Sequence, residues 1–153
     1  PPLEARLRRT ILVFGDLHVV TLTRAADFSA SLRYWRPELS EAENRALFGR
    51  HASQHGHNYR LEVSVRGEPD PVTGMVMDLK DLKAVIEREV MARFDHRDLN
   101  RDTPWFEKEP PTPERFALVI FDLLQAALGE LLCGVRLRQD EDLWVDVEAE
   151  ARS

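Results

Sequence analysis

The chain has 153 residues, 43% hydrophobic and 31% charged, with a formal net charge of −6. That is the length and makeup of one globular domain with bulk for a single core, and neither a disordered nor a membrane-spanning composition. The acidic balance argues against nucleic acid, whose phosphates need a basic footprint.

The chain opens with "PPLEARLRRT", a charged segment with no signal-like core behind it, so residues 1–10 are expected to be a flexible lead to one domain over 1–153. From about Thr10 to Leu32 the chain is rich in Val, Leu, Thr and Phe, with Gly15 among its few breakers, and it reads as extended structure. Phe28, Ala30, Leu32 and Tyr34 share one parity and therefore one face. "PELSEAENRALFGR" predicts a short helix: Ser40 and Glu43 make a capping box, and Gly49 sits where the helix ends. The next segment alternates cleanly, with His55, His57, Tyr59, Leu61, Val63 and Val65 on one face. "GEPDPVTGMV" is a turn.

Two longer helices are expected after it. Asp78 caps the first, whose stripe is Leu79, Leu82, Val85, Ile86 and Val90. "DHRDLNRDTPWFEKEPP" reads as a loop. Thr112 caps the second helix, with Pro113 at its first position, Phe116, Val119, Ile120, Leu123 and Ala127 facing inward, and Gly129 as its stop. Two strands close the pattern: Cys133, Val135, Leu137 and Gln139 on one face, then Leu143, Val145, Val147 and Ala149. Cys133 is the one cysteine, so no internal disulfide forms, which fits a reducing cytoplasm. No apolar run approaches the ~20 residues of a membrane span. The order ββααββ implies an α+β domain whose helices cover one face of an antiparallel sheet.

The chemistry concentrates in "RHASQHGHNYRLEVSV". In a strand, His55 and His57 project two imidazoles the same way, a spacing that suits zinc; the plain alternative is a pair of hydrogen-bonded, partly buried histidines. Asp95 beside His96 can orient the imidazole and raise its basicity, although a histidine at a helix end needs no such role. Glu114 lies in a first helical turn, where the dipole alone explains it. Arg33, Arg36, Arg45 and Arg50 form a loose basic group that could meet an anionic substrate, with a solvated surface as the default.

In order along the chain, "FSAS", "LSEAENRALFGR", "HGHNY", "DPVTGMVMDLKDLK", "FDHRDLN", "PWF" and "PTPERFA" resemble the 6-pyruvoyltetrahydropterin synthase family, which includes the 6-carboxytetrahydropterin synthases. The resemblance runs from about residue 28 to 117, and the final strand pair also fits. It implies the tunnelling fold (T-fold): ββααββ subunits that join into a barrel, as a trimer or a dimer of trimers (a hexamer), with active sites between subunits. Family enzymes act on 7,8-dihydroneopterin triphosphate. A zinc ion on three histidines polarises the side-chain oxygens, a cysteine and an Asp-His pair move protons, and a late-strand glutamate anchors the pterin.

Carried over by position, His55 and His57 match two zinc ligands, Asp95 and His96 match the proton relay, and Glu114 matches the acidic residue of the pterin-pocket helix, with Thr112 beside it in the substrate pocket. Three positions differ. Leu32 stands where the remaining zinc histidine belongs, His51 where the cysteine belongs, and Gln139 where the anchoring glutamate belongs, with Asp140 offered by a one-residue slip. His51 can complete a His51–His55–His57 zinc set or act as a base, but one nitrogen cannot do both. Gln139 offers one acceptor and one donor, a mismatch to two pterin donors of about 1–3 kcal/mol, and suits a lumazine-like or pyrimidine edge better. Three readings follow: a divergent carbon–oxygen lyase acting on a pterin or related heterocycle through His51, Asp95 and His96; a non-catalytic ligand-binding or regulatory homologue; and a metal enzyme of different specificity on the three histidines.

Overall fold

In the computed structural model, which describes residues 18–150, the alternating segments form the two longest strands, β1 (Val20–Leu32) and β2 (His55–Gly67). They pair antiparallel from Val20 opposite Gly67 to Leu32 opposite His55. The expected lead at residues 1–10 and the start of the expected extended segment, through Leu17, lie outside the described residues. Between the two strands sits α1 (Glu41–Phe48), started by the predicted capping box and ended at Gly49, whose φ of 59° is cheap only for glycine.

Helix α2 (Leu79–Ile86) begins where the Asp78 carboxylate accepts from the Lys80 N–H at 2.8 Å, and runs on through a π-helical turn (Glu87–Met91) into Ala92–Phe94. The segment expected to be a plain loop contains the two-residue strand β3 (Arg97–Asp98), which pairs parallel with Ala30 and Ser31 of β1. Helix α3 (Pro113–Leu128) starts on Thr112 and stops at Gly129. Strands β4 (Leu132–Gln139) and β5 (Leu143–Glu148) finish a five-stranded sheet in the order β3-β1-β2-β4-β5. The domain is α+β, as the order of elements implies, with α1 and the parallel β3 added to the simple scheme.

The core fills the space between one sheet face and the two longer helices. Phe28, Ala30 and Leu32 of β1, Tyr59, Leu61, Val63 and Val65 of β2, and Val135 and Leu137 of β4 are all buried. Phe116 of α3 is the hub, with ring centroids 5.0 Å from Phe94, 5.2 Å from Tyr59, 5.7 Å from Phe106 and 5.8 Å from Phe28. Edge-to-face packing of this kind adds about 0.5–1.5 kcal/mol per pair beyond area burial.

Several expected facings differ. Leu79 is 49% exposed, because as the first residue of α2 it precedes the turn that meets the sheet. The buried stripe of α3 is Phe116, Ala117, Ile120, Phe121, Leu124 and Leu128, so Ala127 is exposed and Val119 and Leu123 only half-buried. The inward face of the helix thus carries Phe121 as well as Phe116, and both are buried. In β4, the register with β2 shifts between Ser64 and Val65, so Leu132 rather than Cys133 is buried below Val135. A bulge of this kind flips the parity beyond it. Tyr34 lies past the end of β1 and is half-buried.

Candidate functional site

The inward row of β2 changes from apolar to polar at its first residues, and neighbouring strands supply the surroundings. Leu32 faces His55, Ala30 faces His57, and Tyr59 lies between Phe28 on one side and Gln139 on the other. Gly56 lets the strands close at this point: a Cβ there would stand 3.3 Å from the Ala30 carbonyl oxygen. The rings then form a chain. Tyr34 stacks on His51 at 4.9 Å, His51 lies 5.8 Å from His55, His55 lies 5.0 Å from His57, and His57 lies 6.0 Å from Tyr59.

Both imidazoles of the pair are held from behind. His55 Nδ1 lies 2.7 Å from the Ser53 carbonyl oxygen, which can only accept, so Nδ1 carries the proton. His57 Nδ1 lies 2.8 Å from Asp140 Oδ2, and the same reasoning applies to a carboxylate. In the neutral rings Nε2 is therefore a bare acceptor. Both Nε2 atoms are buried without a hydrogen-bond partner among the described residues, and so are the Tyr59 hydroxyl and Gln139 Oε1. Leaving such a group unsatisfied costs about 1–3 kcal/mol. Four of them on one ladder face are a binding surface in want of a ligand, since native interiors seldom tolerate such clusters.

Electrostatics keep the tyrosines neutral. Burial pushes the Tyr59 hydroxyl well above the usual phenol range, with further upward pressure from Tyr34 and the Asp140 carboxylate. Tyr34 is raised in the same way, first by burial and then by the charge of Glu114. Glu114 thus lies within electrostatic reach of the ring chain, from the first turn of α3. Thr112 is occupied as the cap of that helix, its hydroxyl accepting from the Arg115 N–H at 3.3 Å.

The three-histidine zinc set implied by the resemblance does not fit this chain. Leu32 is fully buried and faces His55 with no donor atom. His51 is an exposed residue stacked flat on Tyr34. Among the described residues, no three His, Cys, Asp or Glu side chains converge to hold a metal ion. Two anchored donors are present, and a third is not in place.

The Asp95–His96 pair is built separately. Asp95 Oδ1 accepts from the Ser29 N–H at 3.1 Å and lies 2.8 Å from His96 Nδ1, while the His96 N–H donates to the Ser29 carbonyl at 2.7 Å. His96 has a φ of 58° and a side chain 84% exposed. It shares an open cleft of about 620 Å³ with His57 and Asp140 but is no part of the ring chain. Of the arginine group, Arg36 is paired with Glu38 and Glu109, Arg45 is paired with Glu41, and Arg33 stacks over Trp35 at 3.9 Å. These contacts support the surface reading for those arginines. Alternation alone marks Tyr59 as core, and the contact of Asp140 with His57 depends on how the β4–β5 turn folds back, so neither is legible as a site residue from spacing.

The sequence model of the family described as 6-pyruvoyl tetrahydropterin synthase matches residues 21–150. A human protein named 6-pyruvoyl tetrahydrobiopterin synthase is 45% identical over 109 residues, 70% of this chain and 75% of its own. One of the same name from Drosophila melanogaster is 42% identical over 125 residues, 79% of this chain and 74% of its own. The solved structure of the Caenorhabditis elegans 6-pyruvoyl tetrahydropterin synthase superposes with a TM-score of 0.81 at 33% identity, covering 90% of this chain and all of that one.

Proposed function

The chain belongs to the 6-pyruvoyl tetrahydropterin synthase family, and from that premise we propose that it binds a pterin or a related pteridine at the inward end of β2. The reading is carried by the four buried, unpartnered polar atoms on His55, His57, Tyr59 and Gln139. Gln139 and the Tyr59 hydroxyl meet the heterocycle, Glu114 and Thr112 border it from the head of α3, and the two imidazoles meet the ring substituent. The chemistry is that of a divergent carbon–oxygen lyase, with the Asp95–His96 pair and His51 as its proton-transfer groups. A carboxylate-oriented imidazole is a competent general base near neutral pH. Zinc would find two of its donors on His55 and His57 and would need His51 to leave Tyr34 for a third.

Calorimetric titration of the purified protein with neopterin and with its lumazine counterpart tests the binding site. Saturable binding that Gln139→Ala abolishes supports it, and absence of binding by both ligands contradicts it. Turnover of 7,8-dihydroneopterin triphosphate, lost in His96→Ala, supports the lyase. The buried Leu32 favours a second reading, a non-catalytic pteridine-binding homologue, for which ligand binds and no turnover is seen.

The sheet edges support assembly with further copies of the chain. Among the described residues β3 covers β1 only at Ala30 and Ser31, and no strand pairs with the outer side of β5. Two open edges on one sheet are a template for pairing with further copies. The reading is a closed homo-oligomer, a trimer or a dimer of trimers, in which the exposed His96 serves a neighbouring copy's site. No helix among the described residues is long and apolar enough to cross a membrane.

A further inference from the structure

We infer that Asp140 is a positioning residue: it fixes His57 in the tautomer that presents a bare Nε2, so that His55 and His57 form a two-acceptor clamp for neighbouring hydroxyl groups on a bound ligand. The hydroxyl half of this inference rests on the pteridine reading above. The Asp140 half stands on geometry alone.

Asp140 follows Gln139 at the head of the β4–β5 turn and has a φ of 57°, a conformation that Asp and Asn adopt more readily than most side chains. Its backbone N–H donates to the Asn58 carbonyl at 2.8 Å, and its Oδ1 faces the Asn58 N–H at 3.4 Å. With the turn locked to β2 in this way, Oδ2 is left on His57 Nδ1 at 2.8 Å. The side chain of Asp140 is half exposed, whereas that of His57 is only 17% exposed, so the carboxylate acts from the solvent side on a ring whose other nitrogen is buried.

The same arrangement is built a second time with different atoms. His55 Nδ1 is tied to the Ser53 carbonyl, and its Nε2 is buried and unpartnered like that of His57. The two rings stand 5.0 Å apart at an interplanar angle of 84°. Two fixed acceptors with no donor between them call for an electropositive group. Leu32 supplies none from across the ladder, and the clamp does not depend on a metal's third ligand. Adjacent hydroxyls on a ligand side chain would each donate to one Nε2.

The test uses Asp140→Asn and Asp140→Gly, both of which tolerate the positive φ and so preserve the turn. In Asp140→Asn the Asn58 N–H claims the amide oxygen, leaving the amide N–H₂ toward His57, which drives the proton to Nε2. Two-bond ¹⁵N–¹H correlation spectra of the full chain at mildly alkaline pH read the tautomer directly. The expected result is an Nδ1–H tautomer for His57 in the parent protein and an Nε2–H tautomer in Asp140→Asn. An Nε2–H tautomer in the parent, or no change in the variant, overturns the positioning role.

The ligand half is read by calorimetry on chelator-treated protein, with neopterin against 6-methylpterin, which lacks the hydroxyls. Neopterin is expected to bind about tenfold tighter, the worth of one net hydrogen bond. Both Asp140 variants should lose that preference while keeping their affinity for 6-methylpterin. A preference that survives in the variants, or that appears only when zinc is added, overturns the clamp. If neither pteridine binds, the clamp fails with the pteridine reading while the tautomer spectra still decide the role of Asp140.

Discussion

At Tyr59 the unpartnered hydroxyl, the upward-shifted phenol and the ligand ladder coincide in one side chain. A phenol whose pKa is raised in the fold stays protonated after its unfolded counterpart has ionised. The folded state then holds more protons, and stability is full below the ordinary value of 10.0 and falls as pH rises above it. Tyr59→Phe should therefore unfold at the same or a slightly higher denaturant concentration near neutral pH, since it removes an unsatisfied buried group. Above pH 10 its loss of stability should be shallower than the parent's; denaturant titrations across pH 8–11 check both. Leu32 yields a second residue-scale prediction. Leu32→His places a third imidazole opposite His55 and, without metal, costs about 2–4 kcal/mol for a polar group in a fully buried apolar site. Zinc should recover that loss, because a metal bound only by the folded state stabilises it. Thermal melts with and without zinc read the effect, and equal zinc responses in variant and parent would sink it.

Among the elements, the two central strands were legible because their apolar parity runs without interruption from Tyr59 to Val65, and the capping box and Gly49 marked both ends of α1. Where the sequence misled, a tertiary choice outweighed a local one. Cys133 shares parity with Val135, yet the bulge opposite Ser64 and Val65 turns Leu132 inward instead. The stripe of α3 is set by the rings packed around Phe116, which no spacing rule reveals. β3 is two residues long and gains its partner only because α2 delivers Asp95 and His96 to Ser29. Of the site, the histidine row was legible from alternation, while its anchors on Ser53 and Asp140 depend on how a turn and a loop close. One element-scale prediction follows from the junction of β4 and β5. A Cβ on Gly134 would lie 3.1 Å from the Val147 carbonyl oxygen, a backbone atom with little room to give. Gly134→Val should cost about 1–3 kcal/mol by overpacking, visible as an earlier urea midpoint and as faster amide exchange confined to β5. Exchange raised equally across the whole sheet would contradict this account.

For the whole molecule, the proposed assembly uses the edge of β1 that, among the described residues, β3 covers only at Ala30 and Ser31. The Ser29 and Ser31 carbonyls point away from β2, toward the His96 and Leu99 N–H groups, so by alternation Thr23, Ala25 and Asp27 aim their backbone groups at the edge that no other described strand covers. Ala25→Pro removes one outward N–H without touching the β1–β2 ladder, a substitution that edge strands tolerate. It should leave circular dichroism unchanged and lower the mass measured by sedimentation; a variant of unaltered mass would place the interface elsewhere. The proposed recognition needs the ladder of His55, His57, Tyr59 and Gln139 to be where a ligand sits. A crystal structure of the protein grown with neopterin tests that most directly. The predicted result is the ring edge against the Gln139 amide and the Tyr59 hydroxyl, with the hydroxylated side chain within hydrogen-bond distance of both histidine Nε2 atoms. Ligand bound away from that ladder, or a ladder whose four polar atoms stay unpartnered at saturating ligand, would contradict it.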